Sequence, residues 1–103
     1  MYPQADHITR LLQAWNDGDK TAVEQLMPLV NEHLHRLAQH LIAKERPGHT
    51  LETTALVDQV HLILSRIARP GWKGKEHFFA FCRSQMRHIL VDWARTRQKR
   101  EAE

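Results

Sequence analysis

The amino-acid sequence predicts an all-α fold, a compact bundle of four main helices, and three observations carry that prediction. Apolar residues recur at helical spacing in four stretches of the chain. Asn-Asp-Gly and Pro-Gly clusters separate those stretches. No alternating strand pattern flanked by hairpin turns is found. A chain of 103 residues is long enough for one domain with its own core and too short for two.

The first helix is expected over about residues 5–17, with Ile8, Leu11, Leu12 and Trp15 on one face. Asn16-Asp17-Gly18-Asp19 stops it: Gly18 suits a left-handed C-terminal position and Asp19 suits the next N-cap. The second helix runs from about Lys20 to Ala43 on a near-heptad stripe of Val23, Leu26, Met27, Val30, Leu34, Leu37 and Leu41. Pro28 falls inside it and removes one backbone donor, so a kink or restart is expected there. Arg46 to Thr50 reads as a loop by its Pro47-Gly48 pair. The third helix follows from about Thr53 to Ala68, with Leu56, Val60, Ile63, Leu64 and Ile67 on one face and Thr50 or Thr53 as cap. A second Pro/Gly loop, Arg69 to Gly74, carries Trp72. The last helix extends from about Glu76 to at least Arg97 on Phe78, Cys82, Met86, Ile89 and Trp93.

Composition, 42% hydrophobic and 26% charged, is that of an ordinary globular protein. Cys82 is the only cysteine, which excludes an intramolecular disulfide and fits a reducing cytoplasm. No apolar run is long enough to span a membrane, and MYPQADHITR lacks a signal peptide's hydrophobic stretch. A soluble cytoplasmic protein is therefore expected. Charge is unevenly distributed. Residues 1–68 hold six Lys/Arg and eight Asp/Glu, a net of −2, whereas residues 69–103 hold nine and four, a net of +5. A basic rear half suits a polyanion, although a solvated basic face has the same composition.

The densest signal is Trp72 to Arg100, which interleaves Trp72, Phe78, Phe79, Phe81 and Trp93 with Lys73, Lys75, Arg83, Arg87, Arg95, Arg97, Lys99 and Arg100. Single-stranded nucleic acid needs both kinds of group: cations track phosphates and flat rings stack on bases, at about 1–3 kcal/mol per base. Phe78 and Trp93 lie on the apolar stripe and read as core. Phe79 and Phe81 flank it and Trp72 lies in a loop, so one helix face cannot bury them all. Eight histidines raise a metal site, but neither HExxH nor paired CxxC spacing is present, and solvated faces are the expected place for them. Glycine-rich phosphate loops, GxSxG and a paired-carboxylate pattern are missing too, and Cys82 falls on the apolar stripe as an inert thiol. The sequence thus reads as a binding protein rather than an enzyme, with no cofactor expected.

Several segments together resemble region 2 of the extracytoplasmic-function (ECF) class of the sigma-70 family, over about Ile8 to Arg100. Ile8-Thr9-Arg10-Leu11-Leu12 followed by Gly18-Asp19-Lys20-Thr21-Ala22 is similar to the family's opening helix and its "GD.xA" restart. Arg46-Pro47-Gly48-His49-Thr50-Leu51, Thr54-Ala55-Leu56-Val57 and His77-Phe78-Phe79-Ala80 are similar to a subgroup reading "RPGHTL…TALV…HFFA". Arg87-His88-Ile89-Leu90-Val91-Asp92 closes the match.

The resemblance implies that residues 1–103 form a region 2 domain. Its third helix would dock on the β′ clamp helices of core RNA polymerase through the surface from Glu52 to Leu62, chiefly Glu52, Thr53, Thr54, Leu56, Val57, Asp58, Gln59 and His61. It also implies that the loop before the last helix, with that helix, opens the promoter −10 element and captures non-template bases. The residues carried over to that role are Arg69, Trp72, Lys73, Gly74, Lys75, Phe78 and Phe79, with Phe81 in place of a typical tryptophan and Arg83, Arg87, Arg95 and Arg97 on phosphates.

The chain departs from the family pattern twice. The helix-turn-helix domain (region 4) that usually reads the −35 element does not follow Glu103, so −35 reading is not expected. The polymerase-binding helix typically opens "DAED", but here reads Glu52-Thr53-Thr54-Ala55. Contacts elsewhere, or Thr53 as a helix cap, are one account of that loss. Phosphorylation of Thr53 or Thr54 is the other, because phosphate adds about −1.5 to −2 charges near a helix N-terminus. An anti-sigma factor or a Ser/Thr kinase would then be a further partner. The competing class is a helical protein-interaction adaptor whose basic tail is only a solvated face.

Overall fold

The computed structural model describes the backbone of residues 3–45 and 50–102, with side chains over 7–44 and 52–96. Four helices follow one another: α1 (Pro3–Asn16), α2 (Thr21–Glu45), α3 (Thr50–Ser65) and α4 (Lys75–Ala102). Among the described residues there is no strand. None of the four helices is long and apolar enough to cross a membrane.

The α1–α2 turn forms as its residues dictate. Gly18 takes φ +96°, and Asp19 Oδ1 accepts from the Thr21 hydroxyl at 2.7 Å and the Thr21 amide at 3.0 Å. These bonds, the hydroxyl first, hold the Asp19 carboxyl below its ordinary range. The helix then runs through an exposed Pro28 without restarting. Helix α3 begins three residues earlier than expected, which puts Thr53 inside the helix and removes it as a cap. The expected loop at Arg46–His49 lies outside the described residues.

Side chains from all four helices build one core. Leu12 and Trp15 of α1 meet Leu26, Val30, Leu34 and Ala38 of α2, Leu56, Val57, Val60 and Leu64 of α3, and Phe78, Cys82 and Met86 of α4. A buried Leu truncated to Ala in such a core costs about 2–5 kcal/mol. Helix α4, 28 residues long, spans about 42 Å at 1.5 Å per residue, most of the 49 Å long dimension of the molecule.

Several residues expected on a binding surface are inside. Leu56 and Val57 are fully buried, and Thr53 is only 5% exposed. The physical reason is the width of the buried face of α3, which packs against both α2 and α4 and therefore takes in 53, 56, 57, 60 and 64. Trp72 is likewise 8% exposed and part of the core, although it does lie in the loop as expected.

Candidate nucleic-acid interface

The segment joining α3 to α4, residues 66–74, is held from three sides. The Trp15 indole Nε1–H donates to the Ile67 carbonyl at 2.8 Å. The Asn16 amide grips Trp72, donating from Nδ2 to its carbonyl at 2.8 Å and accepting its amide N–H on Oδ1 at 2.7 Å. His77 Nδ1 accepts the Lys73 amide at 3.1 Å, in the first turn of α4. Two glycines turn the chain between these ties, Gly71 at φ +72° and Gly74 at φ +153°.

This geometry folds Trp72 inward, which explains its burial. Its ring meets Trp15, His77, Phe78 and Phe81 edge to face, with centroids 5.5, 5.3, 5.3 and 5.2 Å away. Trp72 is therefore a pillar under the loop and has no free face for a base. Its indole N–H is buried without a hydrogen-bond partner. Phe81 is half-buried against it.

What the loop leaves outside is cationic. Lys73 is exposed and Lys75 half-exposed. A shallow recess of about 450 Å³ is lined by His33, Lys75, Glu76 and Phe79, with the His33 and Phe79 rings stacked at 4.0 Å and 20°. Partial burial, then the positive charge of Arg36, lowers the His33 pKa, so this ring favours its neutral form.

On α4, Arg83 and Arg87 are exposed one turn apart on a single flank, and neither has an ion-pair partner among the described residues. Exposed Val91, at 45%, borders them. Arg95 is exposed but rotated about 80° from Arg87. Arg97 lies on the same helix, its side chain outside the described residues. Arg69 sits elsewhere: its guanidinium covers the α1–α2 turn, where a Cβ on Gly18 would come within 3.1 Å of Nη2.

The outward face of α3 has another character. Thr54, Ala55, Asp58, Gln59 and Leu62 are exposed, with Glu52 and His61 half-buried at its margins. Leu62, 52% exposed, is the most exposed large apolar side chain described. Burial lowers the His61 pKa despite the nearby Asp58 carboxylate, and the charge of His35 adds to that lowering. Its Nε2 is buried without a hydrogen-bond partner.

No cluster of three or more His, Cys, Asp or Glu able to hold a metal occurs among the described residues. Burial pushes the Cys82 thiol up to about 12, so it is no nucleophile near neutral pH. Sequence reasoning found the cations of α4 but missed Asn16 and His77 as ties. Asn16 read only as a helix stop, and nothing local shows that its side chain reaches a peptide 56 positions away.

The family profile described as ECF sigma factor matches residues 5–102. No curated protein and no solved structure matches the chain.

Proposed function

The chain belongs to the ECF sigma factor family, and on that premise we propose that residues 1–103 act in the cytoplasm as its region 2 domain, docking on core RNA polymerase with α3 and reading the promoter −10 element with loop 66–74 and α4. Sigma factors direct transcription initiation without being enzymes, which fits the family match. The single observation that carries the finer reading is the separation of two surfaces on one bundle. One is the weakly acidic face of α3, which carries Asp58 and ends at exposed Leu62, and the other is the cationic flank of α4 with the pinned loop that leads into it.

On the DNA side, Arg83, Arg87 and Lys73 would track phosphates of the non-template strand, and Phe79 with Lys75 would border the captured base. Trp72 supports the loop from below. A flipped base costs a few kcal/mol of unstacking, which a shaped pocket must return. On the polymerase side, Thr54, Asp58, Gln59 and Leu62 would meet the β′ clamp helices, with Glu52 and His61 at the rim.

The outward face of α3 carries few acids, and among the described side chains Thr54 is the exposed threonine in its N-terminal part. Phosphorylation of Thr54 would supply charge that Arg or Lys on β′ can pair with. Thr53 is the poorer target, since a kinase must first expose it. The test is capture of core polymerase by the unmodified chain, Thr54→Glu and Thr53→Glu. Thr54→Glu is expected to bind more tightly with an unchanged melting temperature, while Thr53→Glu is expected to melt early because it buries a charge. Strong capture by the unmodified chain that Thr54→Glu does not improve contradicts the phosphorylation switch. No capture by any form contradicts the polymerase-docking role.

A further inference from the structure

The residues that end α1 are far in sequence from the cationic flank of α4, yet they hold the loop that leads into that helix. Asn16 is half-buried and spends both ends of its amide on one residue, the carbonyl and N–H of Trp72, which belong to the two successive peptide groups flanking that residue. A primary amide can do this because donor and acceptor lie in one plane. Aspartate has no donor when ionised, and alanine has neither group. Trp15, the preceding residue, holds the Ile67 carbonyl. Two consecutive side chains thus fix both ends of the stretch 67–72.

The loop needs such fixing. Gly71 and Gly74 both occupy the left-handed half of backbone space, and nothing lies within 4 Å of where a Cβ would stand on either. The Gly74 carbonyl accepts the Phe78 amide at 3.1 Å, but neither position has a side chain of its own to lock it, and glycine leaves many other conformations open to them. The Asn16 amide and the His77 ring take hold immediately beside them, at Trp72 and Lys73.

We infer that Asn16 is a positioning residue for base recognition: it sets loop 66–74 in its reading conformation before DNA arrives. A loop ordered in advance does not lose conformational entropy on binding, so more of the contact free energy appears as selectivity between bases. This rests on the strand-reading role proposed above. Asn16 itself touches no DNA, and phosphate contacts by Arg83 and Arg87 do not pass through it.

The test uses the 103-residue chain and a labelled pool of short single-stranded DNA of randomised sequence, sequenced after bound and free fractions are separated. The unaltered chain is expected to enrich particular bases. Asn16→Ala is expected to lose about fivefold to thirtyfold of that enrichment. Its salt slope, which counts phosphate contacts, should fall by no more than about one, the share of Lys73 on the loop, while core-polymerase capture and helical content stay the same. Asn16→Asp turns a carboxylate toward the Trp72 carbonyl and should lose enrichment at neutral pH. Variants that enrich as the unaltered chain does overturn the inference alone. Enrichment, salt slope and polymerase capture falling together, with lost helix, also overturn it, leaving Asn16 a purely structural residue. An unaltered chain that enriches no base overturns the strand-reading role and this inference with it.

Discussion

Helices α3 and α4 both send side chains into the same core, but their outward faces are built differently. The exposed side of α3 carries Thr54, Ala55, Asp58, Gln59 and Leu62, weakly acidic, with its apolar leucine at the C-terminal end. The exposed flank of α4 carries Arg83 and Arg87, with Lys75 at the start of the helix and Lys73 just before it. A weakly charged face with an exposed leucine suits a protein partner, because the apolar centre of an interface holds most of its affinity. Unpaired cations suit a polyanion, since each phosphate neutralised releases a counterion. The difference teaches that one small core can serve two partners when the specialisation is confined to the outer faces of two helices and one loop.

The sharpest break in that comparison comes from Trp72, which belongs to the loop by sequence and to the core by packing. Trp72→Ala is expected to cost about 3–5 kcal/mol in chemical denaturation and to weaken strand binding as a consequence. A Trp72→Ala protein of unchanged stability would return Trp72 to the displayed bases. The smallest expected effect concerns the α2–α3 contact near His35 and His61. The folded-state pKa of His61 is lowered, so the unfolded chain takes up that proton more readily. Stability should therefore be fully present above the ordinary histidine range, about pH 6.5, and fall as acid carries the solution through it. With His61 partly exposed, the change is a fraction of a kcal/mol. It is read as melting temperature against pH, with a flatter profile expected for His61→Gln.

Much of the fold was legible because its signals are periodic. Leu26, Val30, Leu34 and Leu41 of α2 and Phe78, Cys82 and Met86 of α4 are buried where the spacing puts them, while Val23, Met27, Leu37, Ile89 and Trp93 of the same stripes are only partly buried, and Asp19 and Gly18 make the turn that their chemistry favours. Two things escaped. The buried face of α3 is wider than the spacing of Leu56, Val60 and Leu64 suggests, because two helices cover it, and so Thr53, Leu56 and Val57 moved from surface to core. The inward turn of Trp72 depends on Asn16, which is 56 residues away, and no local pattern encodes that tertiary contact. The cations of the candidate site were legible because the charged heads of Lys and Arg stay solvated, as at Arg83, Arg87 and Arg95. The aromatics were less legible, because a ring that could stack on a base can equally fill a core.

The separation of the two faces is tested most directly by measuring both partners on two variants, Arg87→Ala and Leu62→Asp. Binding of a non-template −10 single strand is followed against salt, and capture of core polymerase is followed in parallel. Arg87→Ala is expected to lower the salt slope by about one and leave polymerase capture and stability essentially unchanged. Leu62→Asp is expected to weaken polymerase capture by about tenfold or more and leave the strand slope alone. Strand binding indifferent to salt, or either substitution impairing both partners equally, would contradict the account.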